Sequence, residues 1–560
     1  MAYKGQSPNS RKRGTGSLPV YESYREESMG IYLNPGNEGF TRITSADIYV
    51  DKTMMIRETN RCIDTGNSYI CMSRPRRFGK TFAGNMLCAY YSRGCDSREL
   101  FAPFKISQDP GYEAKRNRYH VIKIDMNSEF QSAENKGDLL KILTEEIREE
   151  MKAGFPDVTF RANDSLARCL LRVYAARKET FIILLDEYDV LVREQVSHDL
   201  FQEYLSFLNG LFKSDTLRPA ISLAYLTGIL PVVRDKIQSK LNNFREYTIL
   251  NAGPFAEFVG FTAEEVKDLC KERSIDFKEC RRWYDGYRQH GYEIYNPESV
   301  VRSVEDRMFG SYWGKTSSYE VISDRIRQNF AGTKEAVIQM LAGEQVDVNV
   351  TSYLNTMDSF RTKSDAFTYL IHVGYLAYDQ ETGTCRIPNK EVRQEWFNAI
   401  ETDEEYSVTN QIIQSSKELL TETWQGNAEA VAKALDLSHI HVTSNRSYNN
   451  EDVLQSAIYL AFIYALNHYT VVKEMTAGKG FADVVFIPFK DGDPAMVVEL
   501  KRTDCVESAL DQIRKKRYFD SLTHYTGNLL LVGINYDEKE KTHTCVIEHS
   551  VKQPSRTNEK

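Results

Sequence analysis

Apolar positions along this chain follow two rhythms. Short, β-branched runs close on a polar residue, and stretches with helical spacing follow them. The runs are 68–73, 119–125 (YHVIKID), 180–186 (TFIILLD) and 220–228; a helix is expected after Lys80, and helical patterns cover 137–153 and 164–177. Strands interleaved with helices predict a parallel sheet covered on both faces. From about 256 to 440 the pattern turns helical, punctuated by loops such as 283–287 (WYDGY) and 295–297 (YNP). After Asn445 the order changes again: a helix at 451–467, strands near 469–474, 482–488 and 495–501, a helix at 505–520 and a strand at 528–535. The expected organisation is a polar tail (1–30), an α/β unit (31–255), a helical middle region (256–440), a smaller α/β unit (441–545) and a second polar tail (546–560).

A length of 560 residues fits several folding units at roughly 150 residues each. With 41% hydrophobic residues and a mean hydropathy of −0.47, the chain reads as soluble and able to build more than one core. Its longest apolar run, 457–466, covers about half a bilayer, so no membrane span is expected. The basic opening residues lack an apolar stretch behind them, which argues against a secretory signal. The ten cysteines contain no CxxC pair and suit reduced thiols in a cytoplasmic protein. A net charge of −8 gives no global pull on phosphate backbones, so nucleic-acid contact would need local basic patches.

The segment 73–81 (SRPRRFGKT) lies between a predicted strand and a predicted helix and ends in Gly79-Lys80-Thr81, the GK[ST] end of a phosphate-binding loop. There, backbone amides cradle phosphate, the lysine reaches the outer phosphates and the hydroxyl ligates magnesium. The usual first glycine is replaced by Arg74, so a plain basic loop capping a helix is the competing reading. The strand 180–186 ends in Asp186 and Glu187, placed to hold magnesium and to polarise an attacking water. Thr227, at the end of the next strand, suits γ-phosphate sensing. Arg76, Arg77 and Arg234 either neutralise phosphate charge or pair with surface carboxylates. ATP with Mg²⁺ is the implied ligand.

A second constellation stands near the C-terminus. Asp483 opens the apolar strand ADVVFIP; sixteen residues on, Glu499 and Lys501 close the strand AMVVELK, with KDGDP as the turn between. Residues at i and i+2 share a strand face, so Glu499 and Lys501 project together while Leu500 enters the core. Two carboxylates and an ammonium at one spot suit Mg²⁺-dependent phosphodiester cleavage, and Glu451 is the candidate third carboxylate. A cross-strand salt bridge is the bland alternative. A basic strip, Arg514, Lys515, Lys516 and Arg517, follows on the next helix, where Gln512 is placed to contact the site.

These segments resemble the AAA-ATPase-like proteins of anaerobic bacteria such as Bacteroides and clostridia, many with a C-terminal nuclease domain of the PD-(D/E)XK superfamily. The resemblance is carried by 32–40 (YLNPGNEGF), 49–52 (YVDK), 74–81 (RPRRFGKT), 184–189 (LLDEYD), Thr227-Gly228, Gly260-Phe261-Thr262, the WYDGY and YNP loops, 480–483 (GFAD) and Glu499-Leu500-Lys501. It spans about 31 to 535 and implies a P-loop NTPase sheet domain, a helical segment and a small restriction-endonuclease-like α/β domain; the family tolerates an arginine at the position of Arg74. The expected activity is ATP-controlled, Mg²⁺-dependent cleavage of nucleic acid, DNA foremost, in a monomer or homo-oligomer without a membrane partner. The alternative is a nucleotide-switched binding or scaffold protein whose nuclease fold is inactive.

Overall fold

The computed structural model describes residues 30–194, 196–231, 243–313, 320–328, 330–353, 360–401, 407–442, 458, 461–477, 480–490, 492–502, 505–516 and 527–551. Five parallel strands form the first sheet: β1 (Tyr69–Ser73), β2 (His120–Asp125), β3 (Phe181–Asp186), β4 (Ile221–Gly228) and β5 (Arg245–Tyr247), in the order β2-β3-β4-β1-β5. β1, β3 and β4 are buried along their whole length, as strands covered on both faces must be. Alternate residues feed two cores. Ile70 and Met72 join one with the helix α1 (Lys80–Tyr91), while Tyr69 and Cys71 join the other with α2 (Leu139–Gly154), α3 (Leu166–Arg177) and α4 (His198–Phe212). Placing β1 between β4 and β5 brings the 73–80 loop beside the carboxyl ends of β3 and β4. Ligands of open α/β sheets bind at such strand ends.

The middle region is less purely helical than its pattern predicts. It holds two small antiparallel sheets: β6 (Phe261–Thr262), β7 (Tyr287–Gln289) and β8 (Tyr292–Tyr295); and β9 (Val346–Asp347), β10 (Ala377–Asp379) and β11 (Thr384–Arg386). Strands of two to four residues leave no alternation to read. Two of the motifs mark helix starts. Thr262 and Glu265 form a capping box for α5 (Ala263–Arg273), and the Asn296 side chain caps α7 (Pro297–Glu305), with Pro297 at its first turn; α6 (Phe277–Tyr284) lies between. Farther on come α8 (Lys363–Val373) and α9 (Lys390–Glu401).

The last sheet runs β12 (Tyr469–Ala477), β13 (Gly480–Pro488), β14 (Ala495–Arg502), β15 (Asn528–Asp537) and β16 (Thr542–Val551), neighbours in that order. Only β14 and β15 pair in parallel, joined over the sheet by α12 (Val506–Lys516). Two helices from the stretch read as middle region, α10 (Ser407–Trp424) and α11 (Ala428–Val442), pack on this sheet instead. Its second apolar face, Val484, Phe486, Met496, Val498 and Leu500, is closed by Leu419, Leu420, Val431 and Leu435. Each such side chain contributes about 2 kcal/mol by leaving water, which ties these helices to the sheet. The expected tail from 546 also differs, because β16 pairs with β15 as far as Val551. The alternation there is masked by the polar residues of an edge strand (THTCVIEHSV). Among the described residues no helix is long and apolar enough to cross a membrane.

Candidate functional site

α1 begins with Gly79 in the left-handed region (φ 88°), without a side-chain cap and without an acid in its first turn. Its leading amides are therefore left for an anion. Lys80 is buried, and its Nζ donates to the carbonyls of Arg74 (3.1 Å) and Pro75 (3.0 Å), curling the loop around it. Burial lowers its pKa, opposed by the carboxylates of Glu187 and Asp186. Arg74 is fully buried and acts as a strut: its Nη1 reaches the carbonyls of Ser73 (2.8 Å) and Tyr247 (2.9 Å), tying the loop to β5. Desolvation brings its pKa down to about 10.

Across the loop, Asp186 accepts from the Thr227 hydroxyl and from the Glu187 amide (3.0 Å). Thr227 is 1% exposed and stands behind Asp186, so its hydroxyl is spent on that carboxylate. Glu187 has a left-handed backbone (φ 50°), and so does Arg77 in the loop (φ 68°). Strain of this kind persists only where packing over-determines it. The Glu187 carboxylate lies 3.9 Å from Lys80 Nζ and pairs with Arg193; burial raises its pKa against the pull of Lys80.

A cleft of about 910 Å³ opens here. Arg76, Arg77, Gly79, Lys80, Thr81, Glu187 and Arg193 line one part of it, and Ile43, Ile48, Tyr49, Val50 and Phe261 line an apolar part. Arg76 and Thr81 are exposed, while Arg77 reaches Glu298 and the Tyr312 carbonyl, each at 3.5 Å. The loop also rests on the middle region. A Cβ on Gly374 (φ 91°) would stand 2.8 Å from both Pro75 and Trp313, so only glycine allows this approach. Tyr284 and Tyr287 are buried packing residues.

At the end of β14, Lys501 Nζ donates to Glu499 Oε1 (3.1 Å) and to Gln512 Oε1 (2.8 Å), and Gln512 Nε2 donates to Glu499 Oε1. Leu500 points the other way, into the core under α10 and α11. β13 pairs with β14 through Val484↔Val498, Val485↔Val497 and Phe486↔Met496. Asp483 is in β13, and its side chain is outside the described residues, as are Glu451, Arg234 and Arg517. Arg514 is engaged by Glu548 and Asp511 rather than lying open. Among the described residues no three His, Cys, Asp or Glu side chains sit together as a metal cluster.

Residues 36–238 match the family described as Predicted AAA-ATPase, and residues 449–545 match the PD-(D/E)XK nuclease superfamily. The chain carries an AAA-ATPase-like segment followed by a PD-(D/E)XK segment. The phosphate loop and the acids of β3 fall in the AAA-ATPase-like segment; Glu499, Lys501 and Gln512 fall in the PD-(D/E)XK segment. A curated relative, described as an uncharacterized protein in the vnfD 5′ region of Azotobacter chroococcum mcd 1, is 24% identical over 318 residues. That match covers 55% of this chain and 58% of the relative, so the chain spans little more than half of the relative's length. Solved structures resembling parts of the fold include Cdc6p from Pyrobaculum aerophilum (10% identity, TM-score 0.23, 62% of this chain and 92% of that one). Another is the Aeropyrum pernix ORC2 protein (11% identity, TM-score 0.26, 64% and 96%). At such scores nothing functional is taken from either.

Two partners around the 73–81 loop escape motif reading. Arg193, four residues past the LLDEYD acids, binds Asp189 Oδ2 through Nε (3.1 Å) as well as Glu187. Tyr247, on a strand of three residues, supplies the carbonyl that Arg74 needs. An arginine four residues past Asp189 was the available signal for the first, as an i,i+4 pair; the second left none.

Proposed function

We propose that this chain is an ATP-binding protein whose nucleotide site controls Mg²⁺-dependent cleavage of nucleic acid by its C-terminal domain, with units at about 31–255, 256–406 and 407–551. The observation that carries the reading is the convergence of Glu499, Lys501 and Gln512 at the end of β14. Carrying the β13–β14 register one step past Val484↔Val498 sets position 483 opposite Glu499. The donor set suits a hard cation: carboxylate oxygens from Glu499 and Asp483. Glu451 is the further carboxylate, from the preceding segment.

When bound, Mg²⁺ would supply an acidified water and offset charge on the scissile phosphate. Lys501 holds and orients the attacking water, and Gln512 keeps the lysine and Glu499 in register. DNA is the expected substrate, bound through its phosphates. At the other site, the uncapped start of α1 and Lys80 support ATP binding, with Arg76 and Arg77 on phosphate oxygens. Thr81 and Asp186 would hold the accompanying magnesium, Asp186 being oriented by Thr227, and Glu187 polarises water. Arg234 would add a further phosphate contact.

The test is nicking of a supercoiled plasmid with Mg²⁺, with and without ATP. Wild type should cut, and Lys80→Ala should lose the ATP effect. Unchanged cutting by Lys501→Ala would remove this site from the mechanism. Tight ATP and DNA binding without cutting would favour the inactive-fold alternative.

A further inference from the structure

Arg193 lines the cleft beside Lys80 and is 10% exposed, so its ion pairs are poorly screened. Its Nε is tethered to Asp189 Oδ2 (3.1 Å), and Asp189 is itself pinned by the amides of Ile229 (3.1 Å) and Leu230 (2.8 Å). The base of the guanidinium is therefore fixed, while Nη2 is given to Glu187. The same cation thus occupies the carboxylate placed to polarise water and borders the space where the outer phosphates would lie.

We propose that Arg193 reads the third phosphate: the terminal phosphate of a nucleoside triphosphate takes Arg193 from Glu187, and only then is Glu187 released to act on water. This rests on the reading that nucleotide binds the 73–81 loop. A guanidinium is suited to the exchange because its planar fork pairs equally with carboxylate and phosphate. A terminal phosphate carries more charge than one carboxylate and wins the competition, whereas a diphosphate ends short of the arginine and leaves the pair closed. Asp189 keeps the arginine within reach in both arrangements.

The experiment is equilibrium binding of the non-hydrolysable β,γ-imido analogue of ATP and of ADP to the full chain. Wild type is compared with Arg193→Ala, Arg193→Lys, Glu187→Gln and Lys80→Ala, each checked by thermal unfolding without nucleotide. Arg193→Ala should weaken the triphosphate about tenfold and ADP by less than about twofold. Arg193→Lys, whose point charge cannot span both acids, should lose the same preference. Glu187→Gln should shift the preference the opposite way, because the competitor for Arg193 has lost its charge. A triphosphate-to-diphosphate ratio unchanged in both arginine variants, with binding of both lost in Lys80→Ala, overturns the proposal and leaves the nucleotide site standing. Binding undiminished in Lys80→Ala overturns both. If Arg193→Ala does not fold, Arg193→Lys and Glu187→Gln decide the matter by their opposite signs.

Discussion

The ring of Phe78, in the phosphate loop, meets the ring of Tyr287, in the middle region, edge-on at a centroid distance of 5.5 Å and an interplanar angle of 83°. The Tyr287 hydroxyl then donates to the carbonyl of Gly374 (2.5 Å), the residue packed on Pro75. Both flanks of the loop are therefore held by one tyrosine. Tyr287→Phe keeps the ring contact and should cost about 1 kcal/mol in urea unfolding, the net worth of one hydrogen bond. Tyr287→Ala should cost about 3 kcal/mol or more and weaken ATP binding along with it. Equal losses in the two variants would show that the ring contact is not what supports the loop.

Arg74 should not be replaceable by the glycine usual at its position. Its guanidinium supplies two carbonyls, Ser73 and Tyr247, with donors in a fully buried setting. Arg74→Gly leaves those carbonyls unmet and opens a cavity, at an expected cost of about 2–4 kcal/mol. Denaturant unfolding checks this; a glycine variant as stable as wild type would mean that β5 holds the loop without the strut.

Gln512 bridges Lys501 and Glu499 from α12. Gln512→Ala should lower Mg²⁺-dependent nicking by about tenfold to a hundredfold, the usual effect of removing a residue that orients a metal ligand. ATP affinity, measured on the same sample, should be unchanged. Full activity in the variant would confine Gln512 to packing.

Glu391, in α9, is buried, and its Oε1 accepts from Ser299 Oγ (2.9 Å) and the amides of Tyr312 (2.8 Å) and Trp313 (2.9 Å). Oε2 has no partner among the described residues, and the groups around it are Glu395 and the phenols of Tyr284, Tyr287 and Tyr312. Burial raises its pKa from 4.5 to about 7. A carboxyl raised on folding stabilises the protein below its unfolded pKa, and that contribution fades as pH climbs through the folded value. Stability should therefore fall between about pH 4.5 and 7, by at most about 1.4 kcal/mol per pH unit. Glu391→Gln should flatten that slope in urea titrations at several pH values; an unaltered slope would assign it to other groups.

How far the chain could be read depended on how local each signal is. The loop of Gly79, Lys80 and Thr81, the strand ending in Asp186 and Glu187, and the pair Glu499 and Lys501 are contiguous patterns, and strand or helix periodicity orients them without tertiary information. The hairpin between 483 and 499 followed from two apolar strands around a five-residue turn. Less could be seen where polar residues cover an edge strand, as in β16, or where strands are two to four residues long, as in β6 to β11. The destination of α10 and α11 was also hidden, since an amphipathic helix shows that it has an apolar face but not which sheet will receive it.

What the linear order settled, then, is which residue types occur at each candidate motif and how they are spaced along the chain, because backbone geometry converts spacing directly into facing. Tertiary structure alone decided who meets them: Tyr247 under Arg74, Tyr287 against Phe78 and Gln512 on Lys501. Such pairs join elements whose approach is set by the burial of whole apolar faces, a collective quantity that no short stretch of sequence contains.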